Sequence, residues 1–199
     1  MRMIEKPIGL HEELAFMRAE NIELRHQISE LRARFSALQV VADSDTLTPL
    51  PNRRCFIREV ERVIRHVGRY KSDAALLYLD VDCLKQINDR HGHIGGDAAL
   101  IHIAYLIRNA LRATDIVARI GGDEFGLLID PSTEIAARTI IEKLVALMAT
   151  TPFIVSGQNV DVTVSIGYTM IHPADTVEHV LARADSAMYA AKHVQRSAR

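Results

Sequence analysis

Tryptophan is absent from the 199 residues, aromatics of any kind make up 5 %, and there are only two cysteines, Cys55 and Cys83. Two isolated thiols exclude a disulfide scaffold and the paired-cysteine spacing of a structural zinc site. A dominant charge is missing as well: 24 Lys and Arg against 25 Asp and Glu leave a net −1. No global field therefore favours nucleic acid or an anionic membrane, and a phosphate-bearing ligand must be held by local cations. No run approaches the ~18 apolar residues that span a bilayer, and the opening MRMIEKPIG carries Glu5 and Pro7 where a secretory signal has its apolar segment. These absences predict a cytoplasmic protein with no DNA, RNA or membrane partner. What remains is ordinary globular material, 48 % hydrophobic and 25 % charged, enough for one core with residues to spare.

The most informative stretch is Ile116 to Ile129, IVARIGGDEFGLLI. Two apolar runs of strand length flank Gly121, Gly122, Asp123 and Glu124, and a Gly-Gly pair between such runs predicts a hairpin. Adjacent carboxylates on a tight turn are costly unless a cation answers them. Glycine lets a ligand approach the backbone closely, so the turn reads as a phosphate and metal seat. A second apolar run, Ala74 to Leu79, ends at Asp80-Val81-Asp82. If the two strands are neighbours, Asp80 joins Asp123 and Glu124 in an oxygen-rich magnesium site; pattern alone does not establish that adjacency.

The signature Gly121-Gly122-Asp123-Glu124-Phe125 resembles that of the GGDEF-domain diguanylate cyclases. Four further motifs stand in the family's order: DTLTPLPNRR at 45–54, LDVDCLKQINDRHGHIGGD at 79–97, RATD at 112–115 and ADSAMYAAK at 184–192. The resemblance runs from residue 43 to about 196. It implies an α+β, nucleotide-cyclase palm-like domain, a central mainly antiparallel sheet flanked by helices; the element order places those helices on one face. It implies condensation of two GTP into cyclic di-GMP with release of two pyrophosphates, across a homodimer. The cofactor implied is Mg2+ or Mn2+, two ions per GTP, on Asp80, the Val81 carbonyl, Asp123 and Glu124.

The same resemblance assigns the nucleotide contacts. Lys85 reaches phosphate oxygens, with Gly121 and Gly122 beside the nucleotide. Asn88 and Asp97 read the guanine edge, where a carboxylate can accept from both N–H groups, an arrangement adenine does not offer. Lys192 and Arg196, one helical turn apart, bring positive charge to the terminal phosphates. Arg112 and Asp115 form the inhibitory cyclic di-GMP site, with Lys143 as a secondary basic contact. For Asp82, a structural role in its loop is as open as a ligand role. His91 and His93, spaced HxH, are structural in the family pattern. The chain departs from the family at Pro49, where glycine is usual, at Leu84, where an aromatic is usual, and before Arg196, where a glycine is missing.

Periodicity predicts helices over 54–69, 98–111 with Asp97 opening it, and 133–149, then a strand pair around 156–159 and a last helix ending near Lys192. The segment around Asn88 to His93 reads as a turn.

Ahead of this domain, Leu10 to Ala42 keeps a heptad spacing. Leu14, Asn21, Ile28, Phe35 and Ala42 fall at a, and Leu10, Met17, Leu24, Leu31 and Leu38 at d. Leucine at most d positions and one polar Asn21 favour a parallel two-stranded coiled coil. Glu13 and Glu20 at g face Arg18 and Arg25 at e of a partner. The alternative is one amphipathic helix packed on its own domain. The division expected is 1–42 for dimerisation and 43–199 for the cyclase, with any sensor in a separate regulatory protein. The functional alternative is a weak or inactive module that binds GTP or cyclic di-GMP, or another protein.

Overall fold

The computed structural model describes residues 9–197, and the side chains of 10, 11 and 195–197 lie outside that description. The expected phosphate contact of Arg196 therefore lies outside the described residues. The chain divides into two units, at residues 42 and 43.

The first unit is essentially one helix, α1 (Leu10–Asp43), 34 residues long and so roughly 50 Å from end to end. Its described a and d leucines, Met17, Ile28 and Phe35 are all exposed, from 44 % at Leu14 to 69 % at Leu38. Local pairs such as Gln27 with Glu23 and His26 with Glu30 decorate the helix.

The second unit orders as α2 (Arg53–Tyr70), β1 (Ala75–Val81), α3 (Leu84–Ala110), β2 (Ile116–Arg119), β3 (Glu124–Ile129), α4 (Glu134–Thr150), β4 (Phe153–Val155), β5 (Gln158–Val160), β6 (Val164–Met170) and α5 (Val177–Ser197). Strands β2-β3-β1-β6 form one sheet in that order, each neighbouring pair antiparallel, and β4-β5 form a separate ribbon. Each connection through α3 and through α4 skips over one strand, so β1 sits in the middle with all seven residues buried. A strand covered on both faces needs no polar alternation, which is why ALLYLDV reads as a continuous apolar run until Asp80.

Helices cover both faces of this sheet, not one. Ala75, Leu77, Leu79 and Val81 pack with Ile103, Ile107 and Leu144 of α3 and α4, while Leu76 and Tyr78 pack with Phe56, Val60, Val180 and Ala184 of α2 and α5. The crossover rule constrains only α3 and α4, which link strands within the sheet. Helix α2 precedes the first strand and α5 follows the last, so both are free to close the opposite face.

Helix ends follow side-chain chemistry. Asn52 caps α2 by accepting from the Cys55 N–H, and Thr133 caps α4 by accepting from the Ala136 N–H. Helix α3 differs from the expected turn followed by a helix at 98: it starts at Leu84 and kinks at Gly92, whose φ of 72° lies in the left-handed region. Glycine absorbs the reversal without steric cost, so both halves stay helical around a segment whose polar residues and glycine look like a loop.

Candidate active site

Register answers the question of adjacency. Asp80 at the end of β1 stands directly opposite Glu124 at the start of β3, so the two carboxylates share one sheet face. The Val81 N–H donates to the Asp123 carbonyl at 3.0 Å, extending the ladder into the hairpin tip. Gly121 lies close against Glu124: a Cβ there would stand 2.2 Å from the Glu124 Oε2 in its present orientation. Gly122 has open space at the same position. Arg119 ties the tip down, donating to the Gly122 carbonyl at 2.8 Å and to Asp45 Oδ1 at 3.2 Å. Asp45 in turn accepts from the Leu47 and Thr48 N–H groups, so the loop carrying Pro49 folds compactly around one carboxylate.

The acids sit uneasily together. Burial pushes the Asp80 carboxyl up, the Lys192 ammonium pulls it down, and Asp123 and Asp82 push it up again, leaving it above its ordinary value. Glu124 is raised in the same way, by burial first, against the opposing Tyr78 hydroxyl, with Asp123, Asp80 and Asp185 adding to the rise. Tyr78 itself is pushed up to about 12, by burial first and then by the neighbouring Glu124 charge. Lys192 pairs with Asp80, which places this lysine on a carboxylate and not on an open phosphate position. Among the described residues no three His, Cys, Asp or Glu side chains form a ready cage for a cation, and Asp80 is paired with Lys192. The donor set nevertheless fits a hard divalent cation: oxygen ligands, mutually repelling, half withdrawn from water. Val81 ends β1 beside them.

Asp82 is drawn elsewhere. It accepts from Thr163 Oγ1 at 2.9 Å and Ser165 Oγ at 2.8 Å, and so fastens β6 to the end of β1. That is the structural role of the two left open.

Lys85, Asn88, Asp97, Gly122 and Asp123 line one cleft of about 380 Å3, together with Leu84, His93 and Arg119. The kink at Gly92 achieves this by folding the second half of α3 back, so that Asn88 Oδ1 presses against Gly96, where a Cβ would come within 1.9 Å. Asp97 and Lys85 are exposed at the cleft wall. A larger cavity of about 700 Å3, beside the β4-β5 ribbon, contains none of the expected ligand residues.

At the far end of α3, Asp115 is buried and accepts from the Arg112 N–H at 2.9 Å, while its carbonyl takes Arg108 Nη1 at 3.2 Å. The acid thus closes its own turn, and Arg112 stands exposed beside it. Lys143 donates to the Ala110 carbonyl at 2.6 Å, covering the end of α3. Arg119 and Tyr78 had not been singled out from the sequence. The available signals were a cation two residues ahead of the hairpin glycines and a lone phenol in an aliphatic strand.

The family model described as "Diguanylate cyclase, GGDEF domain" matches residues 42–198. The diguanylate cyclase TpbB of Pseudomonas aeruginosa is 38 % identical over 179 residues, which is 89 % of this chain and 41 % of the relative. The chain thus spans about two fifths of that relative's length. Among solved structures, the diguanylate cyclase SiaD of Pseudomonas aeruginosa, in complex with its activator SiaC, superposes with a TM-score of 0.81 at 32 % identity, covering 92 % of this chain and 71 % of that one. The coiled coil and GGDEF domain of DgcB from Caulobacter crescentus, in complex with c-di-GMP, gives a TM-score of 0.78 at 27 % identity, covering 89 % and 94 %. With a family model spanning the whole second unit and a signature hairpin whose acids meet Asp80 across the sheet, this chain belongs to the GGDEF-domain family.

Proposed function

We propose that the chain is a diguanylate cyclase that condenses two GTP into cyclic di-GMP, with residues 43–199 as the catalytic domain and 1–42 as the dimerising helix. The observation that carries this reading is a single cleft that joins the guanine-reading pair, Asn88 and Asp97, to the hairpin tip at Gly122 and Asp123. Asn88 and Asp97 hold the base. Lys85 takes phosphate oxygens, and Lys192, paired with Asp80 in the folded chain, would answer the terminal phosphates. Asp80, Glu124, Asp123 and the Val81 carbonyl would hold Mg2+ or Mn2+, two ions per GTP. When bound, these ions supply Lewis acidity at the α-phosphorus and counter-charge for the leaving pyrophosphate. The ribose 3′-hydroxyl of a GTP on a second copy attacks in line, its proton leaves, and pyrophosphate departs; the reciprocal displacement closes the ring.

One copy holds one GTP, so two catalytic domains must face each other. A parallel coiled coil through the exposed seam of α1 supplies the second copy at high local concentration. The solved relatives named for a coiled coil and for a bound activator support both assembly through this helix and control by a separate regulatory protein. Arg112 and Asp115 serve as the feedback site for cyclic di-GMP, as a complex of the relative DgcB with that nucleotide supports. No helix among the described residues is long and apolar enough to cross a membrane, which agrees with work in the cytoplasm, where GTP is available. Nothing in the site favours an inactive module.

The test is conversion of GTP by the purified chain with magnesium, products separated chromatographically beside Asp123→Ala. Cyclic di-GMP from the unmutated chain alone is expected. GTP left intact at high protein concentration would refute the activity.

A further inference from the structure

Past the kink at Gly92, the second half of α3 sends Ala99, Leu100, Ile103, Ala104, Leu106 and Ile107 into the core it shares with α4 and the sheet. The opposite face of such a helix is ordinarily polar. Here it carries Ile94, Ile101 and Tyr105, exposed to 86 %, 42 % and 63 %. At about 100° per residue the three point within roughly 40° of one another, and they form one stripe roughly 17 Å long with the half-buried Ala98 between them. The stripe borders the nucleotide cleft. His93, Gly96, Asp97 and Leu100, on the adjoining flank of the same helix, line that cleft, so whatever covers the stripe stands at the lip of the site. Along that flank Asp97 and Arg108 lie about three turns apart, an acid at the cleft end and a base at the other, both exposed.

We propose that this stripe docks a second copy of the chain, α3 against α3 in antiparallel packing, and that the contact brings the two nucleotide clefts together. The inference deepens the cyclase reading and rests on it: a cleft that holds one GTP needs another at its lip. Three features select a second copy as the occupant. The stripe is self-complementary, since a two-fold axis at Ile101 lays each half of it on the other half of the partner's stripe. Antiparallel packing also brings the acidic end of one flank level with the basic end of the partner's, whereas parallel packing sets like charges level. Finally, Asp97 lies one turn from Ile101, so the two clefts sit on the same side of the helix pair, offset by only about 12 Å along it. Three large side chains make a small interface for free chains. Two copies already joined through α1 meet at high local concentration, where a weak contact suffices.

The chain has no tryptophan, so Tyr105→Trp places a single reporter on the stripe. The probe is 3′-deoxy-GTP, which lacks the attacking hydroxyl and fills the clefts without turnover. With Mg2+ and this nucleotide, emission of the full chain should shift to shorter wavelength as the indole leaves water, and adding Ile101→Glu should abolish the shift. In the chain without the reporter, Ile101→Glu should lower cyclic di-GMP formation at least about tenfold, as for a residue at the centre of a contact. Its affinity for 3′-deoxy-GTP should be unchanged and its thermal midpoint kept within about 2 °C. Emission that stays that of an exposed indole, a shift that survives Ile101→Glu, or full turnover in Ile101→Glu would overturn the proposal. So would a loss of nucleotide affinity as large as the loss of turnover, since it would place the effect inside one cleft. A shift that Ile101→Glu abolishes, in a chain that makes no cyclic di-GMP from GTP, would refute the cyclase reading and leave the docking surface in place.

Discussion

The hairpin end of the second unit and the N-terminal helix solve opposite problems. At the hairpin end, polar groups find partners within the same unit: Asp80 has Lys192, Asp82 has Thr163 and Ser165, and Arg119 has Asp45. Along α1, the seam from Leu14 to Leu38 leaves its apolar side chains exposed. The hairpin end is thus held locally, by register and short hydrogen bonds, whereas the apolar seam of α1 stands exposed. A helix with this seam gains most of its stability by burial, at about 25 cal/mol per Å2 of apolar area, and too little by propensity alone.

The sharpest way to break the local half is Asp123→Ala. It should lower cyclic di-GMP formation at least 100-fold, comparable to losing a preorganised electrostatic group, while leaving the oligomeric state in sedimentation unchanged. The remote half breaks by placing charge in the seam. Leu24→Glu with Leu31→Glu should dissociate the dimer and lower the rate at micromolar protein by about 10- to 100-fold, as expected from losing a tether. The loss should be partly recovered on concentrating the protein, and the melting of the catalytic unit should be unmoved. Within the hairpin, Gly121→Ala and Gly122→Ala sharpen the contrast between neighbours. The first drives a methyl against the Glu124 carboxylate and should cost about tenfold in rate; the second meets no protein atom but faces the cleft, so it should preserve the thermal midpoint and raise the KM for GTP.

The smallest effect is on stability against pH. The Arg183 fork takes both Asp175 oxygens at 2.7 Å and holds that carboxyl below its ordinary value. The folded chain therefore resists a proton that the unfolded chain accepts. The contribution is full above the unfolded carboxyl pKa of about 4 and drains away as pH falls through the lower folded value. Since the Arg183 side chain is 39 % exposed, solvent screening limits the pair to about 1 kcal/mol. Urea midpoints of Asp175→Asn should fall below those of the unmutated chain at pH 7 and converge with them only as pH drops below the lowered folded value.

Much of this was legible in the sequence where the signal is local. The hairpin, the run ending at Asp80, the helices over 54–69 and 133–149 and the heptads of α1 all rest on periodicity and punctuation within a few residues. What was not legible depends on pairing. Nothing in ALLYLDV says that Asp80 lies opposite Glu124 and not two residues away; only the register does. The first half of α3 was read as a turn because Gly92 and its polar neighbours imitate one. The second helical layer was missed because α2 and α5 cross over no strand. Arg119 carries a role set by Asp45 and the Gly122 carbonyl beside it, a relation that composition does not encode.

The measurement that tests the account most directly is cyclic di-GMP formation per chain as a function of protein concentration, paired with sedimentation of the same samples in GTP and Mg2+. The account predicts a specific rate that is flat while the dimer persists and falls in step with dissociation on dilution. A specific rate that stays constant in samples that sediment as monomers, or no product while the dimer is intact, would contradict it.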